Sequence, residues 1–187
     1  MVDFDSNSAE CSVFTFKEGL LSAVAHDLKL AVGRFTVRAG RDGGPSWAVS
    51  GRWDAGSLTV KSVMKDGHEV AGALGARDFD KIAKTVREEV LQSGRYPEIV
   101  FASTAVALDG DRARITGDLT VCGRKKSITF EARQSGGRWV AEVVLHQPDF
   151  GIKPYSAMLG ALKIKPDVKV RVSLPADRLS LGAEGGA

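Results

Sequence analysis

Residues 111–133 read DRARITGDLTVCGRKKSITFEAR, and the alternation in this stretch decides the fold. Ile115, Leu119 and Val121 share one parity, and Arg114, Thr116, Asp118 and Thr120 share the other. After CGRKK, Ile128, Phe130 and Ala132 again oppose Thr129, Glu131 and Arg133. A period of two with one apolar side is a strand that buries a single face. The short glycine-bearing link at 122–126 predicts a hairpin turn, so the two strands are antiparallel neighbours.

The same period recurs outward from this hairpin. DVKVRVSL at 167–174 sets Val168, Val170, Val172 and Leu174 against Lys169, Arg171 and Ser173. WAVSGRW at 47–53 and SLTVKS at 57–62 alternate too, and SVFTFK at 12–17 places Phe14 and Phe16 on one face. Leu28, Leu30 and Val32 share a face, after which Phe35 and Val37 take the next parity, with the slip at Gly33. A glycine there predicts a bulge and a bend, as a long strand needs to curl around a barrel. Turn residues at RDGGP (41–45), LDGD (108–111) and SGG (135–137) join neighbours. The expected strands are 11–17, 25–38, 46–54, 57–63, 97–107, 111–121, 126–135 and 138–146, with a ninth at 167–174; the last four or five form a meander.

One segment departs from this period. In RDFDKIAKTVREEVLQSG at 77–94, Phe79, Ile82, Ala83, Val86 and Val90 recur at helical spacing. The expected amphipathic helix covers about 78–92, with Asp78 as N-cap, Gly94 as its stop and Pro97 beyond it. Many antiparallel strands with one inserted helix predict an all-β chain, either a sandwich or an antiparallel eight-stranded barrel, whose closure removes the edges that so many strands would leave. Such a barrel either fills with side chains or holds one small ligand. Residues 1–10 are set apart as an N-terminal extension, 11–176 as the barrel domain and 177–187 as a flexible tail.

Composition narrows the function. The 187 residues suffice for one domain with a sizeable core. The longest apolar stretch, Leu20 to Ala25, falls far short of the ~20 residues that span a bilayer. The start, MVDFDSNSAE, lacks the basic and apolar regions of a secretory leader. The chain as it stands is therefore expected in the cytoplasm, or in the periplasm if a leader has been removed, with Cys11 and Cys122 reduced. A net charge of +3 spread along the chain gives no basic stripe, so no nucleic-acid partner is expected. RKK at 124–126 reads as a solvated hairpin tip.

Few motifs carry chemistry. His26 and Asp27 are adjacent on a strand, so they point to opposite faces and make a poor base–orienter pair; a polar rim is the plainer reading. No GxSxG elbow, GxGxxG or GxxxxGK loop is present. His26, His68, His146, Cys11 and Cys122 lack metal-ligand spacing, and no metal or cofactor is expected. His68, in KDGHE, reads as part of a solvated turn, and Cys122 as a small, partly buried side chain at the end of a strand. DFGIKPYSAMLGALKIKP at 149–166 has no clean period. With Tyr155, Met158, Leu159, Leu162 and Ile164 among small residues and lysines, it reads equally as a lid over a barrel mouth or as a plug.

Together these residues resemble the YceI-like, or polyisoprenoid-binding lipocalin-like, domain family, from about Ser12 to Pro175. SVFTFKEGLLSAVAHDLKL is similar to the family's first two strands, SGRYPEIVFASTAV to its strand after the helix, ITGDLTVCGRKKSITFEA to its Gly-Asp-Leu-Thr hairpin, and QPDFGI to its late Asp-Phe-Gly element. The resemblance implies an antiparallel barrel with a long apolar tunnel that binds an isoprenoid or fatty amphiphile, often as a homodimer and without catalysis. On that implication the tunnel walls are Phe14, Phe16, Leu28, Leu30, Trp53, Ile99, Phe101, Leu119, Phe130 and Phe150. Phe79, Ile82 and Val86 of the helix close one side, and Tyr155, Met158 and Leu162 stand at a mouth. For any one of the wall residues packed core is the plainer reading, and the ligand reading rests on the set failing to fill the interior. A polar head is expected near His26, Asp27, Lys153 or Tyr155. The competing functions are a hydrolase or isomerase acting on an amphiphile in the same cavity, and an interaction module with a filled barrel.

Overall fold

The computed structural model describes residues 1–18, 26–41, 43–44 and 46–179. Its strands are β1 (Val2–Asp5), β2 (Glu10–Thr15), β3 (Lys17–Glu18), β4 (Asp27–Val32), β5 (Phe35–Arg41), β6 (Trp47–Asp54), β7 (Leu58–Lys65), β8 (His68–Val70), β9 (Glu98–Asp109), β10 (Arg112–Val121), β11 (Arg124–Ser135), β12 (Arg138–His146), β13 (Ser156–Ala157), β14 (Leu162–Ile164) and β15 (Asp167–Pro175). Helix α1 (Ala76–Thr85) lies between β8 and β9. Twelve strands form one antiparallel sheet in the order β1-β5-β6-β9-β10-β11-β12-β15-β2-β4-β7-β8, and β13-β14-β3 form a second, small one.

These segments outnumber the nine expected strands because a bend divides 25–38 into β4 and β5 and because the short strands β1, β3, β8, β13 and β14 add to the set. Residues 27–41 run beside 47–65 from Asp27 opposite Met64 to Arg41 opposite Trp47. Halfway along, both fold over at the predicted slip. Gly33 N–H donates to the Ser57 carbonyl (3.1 Å), and Asp54 N–H to the Arg34 carbonyl (3.0 Å). One half of this folded pair joins β2 through β4, and the other joins β9 through β6. The meander β9 to β12, then β15, then β2, completes the ring. The circuit thus has eight members, residues 10–15, 27–41, 47–65, 98–109, 112–121, 124–135, 138–146 and 167–175, and the architecture is the expected barrel.

Several local expectations change. Residues 1–10, expected as an extension, carry β1, which pairs with β5 and buries Phe4 completely. Arg178, placed with the tail, donates to the Asp3 carbonyl and lies over the Phe4 ring; residues 180–187 are outside those described. The hairpin turn after β10 is Cys122 and Gly123 alone, both with positive φ, so Arg124 to Lys126 open β11 rather than cap the tip. His68 likewise opens β8, and the turn before it is Asp66 and Gly67. Ala25 and turn residues 42 and 45 fall outside the described residues.

The helix begins one turn earlier than Asp78 implies. Gly75 is the N-cap, and the Asp78 carboxylate, at the third helical position, accepts the Gly75 N–H at 3.1 Å. After Thr85 the helix widens into a π-turn, Val86–Val90. Gln92, not Gly94, takes the left-handed conformation that stops it. Arg87 ties the helix to the sheet by donating to the Leu58 carbonyl at 3.2 Å.

Ser57 holds the bend. Its hydroxyl accepts Arg34 N–H at 3.0 Å and donates to the Asp54 carbonyl at 2.7 Å, in a buried setting. Ser57→Ala takes the acceptor from the Arg34 N–H and one donor from the Asp54 carbonyl. We expect a loss of about 1–3 kcal/mol in denaturant unfolding, with the slope unchanged. A loss below a few tenths would show that the bend holds without this hydroxyl.

Candidate functional site

The ring is hollow. A cavity of about 610 Å³ runs through it, within the ~300–1,000 Å³ common for small-molecule sites. Its wall is built by the inward parity of the barrel strands. Ile115, Leu119 and Val121 come from β10, Ile128, Phe130 and Ala132 from β11, and Val168, Val170, Val172 and Leu174 from β15. The π-turn swings Val86, Val90 and Leu91 together onto the lumen beside Ile82. The few polar side chains on the wall include Thr15, His26, Ser50 and Gln147. Gln147 is buried and satisfied, donating to the Lys165 carbonyl at 3.0 Å.

Twelve of the expected wall residues meet at this cavity: Leu28, Leu30, Trp53, Ile82, Val86, Ile99, Phe101, Leu119, Phe130, Phe150, Tyr155 and Leu162. Four do not. Phe14 points outward, where the Lys169 ammonium lies 5.2 Å from its ring centre, and the inward side of β2 is Cys11, Val13 and Thr15. Phe16 sits in the break between β2 and β3 and misses the lumen. Phe79 reaches a separate small hollow of about 290 Å³ beside Leu74, between helix and β8. Met158 is 69% exposed. The alternation did not single out Cys11, Trp47 and Trp139 on the wall, because their neighbours are of mixed polarity.

Two close approaches shape the interior. The Trp53 indole folds flat across Gly51, where an added Cβ would stand 2.1 Å from its Cη2. At the bulge beside Gly117, an added Cβ would stand 2.6 Å from Phe101 Cζ and 2.4 Å from the Ala102 carbonyl oxygen. Glycine at both points lets large aromatic rings lie against the wall. Phe101 in turn tilts against Phe130, centroids 5.5 Å apart.

Among the described residues, the Trp53 indole N–H is the one buried side-chain polar group without a well-formed hydrogen bond. It faces the Cys11 thiol, a weak acceptor. Burial pushes that thiol up to about 12, and the indole N–H offsets little of this. Cys11 is therefore a neutral, apolar part of the wall, not a nucleophile. Cys122 is half-buried at its turn as expected, its Sγ 3.3 Å from the Leu91 carbonyl. Of the histidines, only His26 lines the cavity. Its neighbour Asp27 turns away to accept the Lys17 N–H at 2.7 Å, and His146 pairs with Asp167 at 2.6 Å on an exposed face. Among the described residues no group of three His, Cys, Asp or Glu side chains converges to hold a metal ion.

A family model for the YceI-like domain matches residues 5–176. Protein YceI of Escherichia coli O157:H7 is 46% identical over 48 residues, 26% of this chain and 25% of that protein. A UPF0312 protein of Pseudomonas putida (strain GB-1) is 41% identical over 112 residues, 54% of this chain and 57% of that one. The matched segments thus span about a quarter to just over half of these curated relatives. Among solved structures, Burkholderia cenocepacia BcnA superposes with a TM-score of 0.60 at 15% identity, covering 89% of this chain and 94% of that one. The Campylobacter jejuni YCEI protein gives 0.56 at 12% identity, covering 79% and 82%. At such identities the structural likeness carries the fold.

Because burial holds the Cys11 proton in the folded state, stability depends on pH. Above the ordinary thiol value of 9.0 the unfolded chain sheds this proton while the folded chain keeps it to about 12. Stability is complete below 9.0 and falls through that window, by up to ~1.4 kcal/mol per pH unit. Cys11→Ala removes this contribution. Urea unfolding at rising alkaline pH should show a steeper loss for the natural chain than for the variant; parallel curves would contradict the buried thiol.

Proposed function

The chain belongs to the YceI-like domain family, and from that premise we propose that it binds and carries or sequesters a long-chain apolar amphiphile inside the barrel. The chemical classes that fit are a polyisoprenoid, an isoprenoid quinone or a fatty acyl compound. One observation carries this reading: the barrel encloses more space than its own side chains occupy, behind a wall that is almost wholly apolar.

Energetics favour a long ligand. Each buried methylene contributes about 0.8 kcal/mol. Association costs at least ~4 kcal/mol, and micromolar binding corresponds to about −8 kcal/mol. About fifteen methylenes meet both demands. The work proposed is binding rather than turnover: His26 is the histidine on the wall, and its neighbour Asp27 turns away from it to accept the Lys17 N–H.

Native mass spectrometry after gentle purification, before and after organic extraction, reads the bound mass directly. Uptake of a fluorescent fatty probe reads vacancy. Filling the lumen with Ala132→Phe and Ala141→Phe together, both on the cavity wall, should weaken uptake by about tenfold or more while the fold persists. Wild-type protein that carries no extractable mass and takes up no probe would refute the carrier reading.

A further inference from the structure

The hairpin of β13 and β14 faces two ways. Tyr155, Leu162 and Ile164 line the cavity. The tip between its strands points to solvent, with Met158 69% exposed and Leu159 fully so. Both residues have left-handed backbone, φ 53° and 56°. Glycine or asparagine adopts that conformation with less strain, so a tip that only had to turn has no use for Met and Leu. Among the described residues neither side chain finds packing that repays its strain and exposure.

Charge surrounds the tip. An added Cβ at Gly160 would stand 3.2 Å from Lys163 Cε and 3.8 Å from its Nζ, so that ammonium folds over the turn. Lys153 and Lys165 are exposed on the flanks, and Glu18, opposite Lys163 in the small sheet, is the acid of that strand pair. Exposed apolar side chains ringed by lysines suit the boundary between lipid headgroups and acyl chains.

We propose that the Met158–Leu159 tip docks the barrel mouth onto an anionic lipid bilayer, with Lys153, Lys163 and Lys165 meeting lipid phosphates. Docking places a rim that already lines the cavity against the source of an apolar cargo. The purpose of docking, though not the docking itself, rests on the carrier reading.

Sedimentation of the full chain with mixed phosphatidylcholine–phosphatidylglycerol vesicles, and with pure phosphatidylcholine vesicles, tests this. The natural chain should bind the mixed vesicles, and more weakly as salt rises. Met158→Asn with Leu159→Asn suits the left-handed backbone and removes the apolar tip; vesicle affinity should fall by about a hundredfold or more. Lys163→Gln with Lys165→Gln should cost about fivefold for each lysine. Both variants should keep the natural affinity for a fluorescent fatty acid offered in solution. Failure of the natural chain to bind mixed vesicles, or equal binding by the asparagine variant, overturns the proposal. It also falls if the asparagine variant turns a dimer into a monomer and leaves vesicle binding untouched, because the tip is then a self-association surface. Tip-dependent docking by a protein that takes up no fatty probe would leave docking standing and remove the carrier reading.

Discussion

Backbone hydrogen bonding across the bend at Gly33, Arg34, Asp54 and Ser57 is the interaction on which the remaining structure depends. Without it the strands at 27–41 and 47–65 would be a flat hairpin and the sheet an open ribbon. With it, one pair of strands serves two neighbours, β2 on one side and β9 on the other. A ring of eight is the result, and its diameter follows from strand number and not from the size of the side chains inside. The hollow interior is thus a product of closure. The terminal strands of the sheet, β1 and β8, are four and three residues long, and short edges limit pairing with other chains.

The same constraint explains why the wall is apolar although the chain is not. Each strand offers alternate residues to the lumen, and the outward set carries the charge: Lys169 and Arg171 on β15 beside Glu142 on β12. Such exposed pairs add little stability, but they keep the outside wet. The helix meets a different demand. Its wide π-turn departs from regular spacing and brings Val86, Val90 and Leu91 to one side, covering a stretch of lumen that no strand reaches.

Much of this was legible in the chain. Alternation placed the walls of β10, β11 and β15 correctly, because each has polar residues on one side only. It failed on β2, where apolar residues occupy both parities. Phe14 and Phe16 are the larger, but size does not settle direction, and Lys169 covers Phe14 from outside. The slip at Gly33 foretold the bend, but not that β6 and β7 would bend with it, because Asp54 and Ser57 act through hydrogen bonds that have no period. Asp78 was recognised as a helix-start residue but assigned the wrong place, since a carboxylate serves as well at the third helical position as at the cap. That the barrel is hollow lay beyond the pattern altogether: alternation reports which side chains face inward, not how far they reach.

The pairing of β2 with β15 joins residue 14 to residue 169. During synthesis, the first of these strands therefore waits on the ribosome for a partner made almost last. Until then the growing chain exposes two unsatisfied borders and a greasy inner surface, a state prone to aggregation that shielding by chaperones would relieve. A fold whose seam is its last stitch is slow to mature, and a chain cut short of that stitch is left as an open sheet.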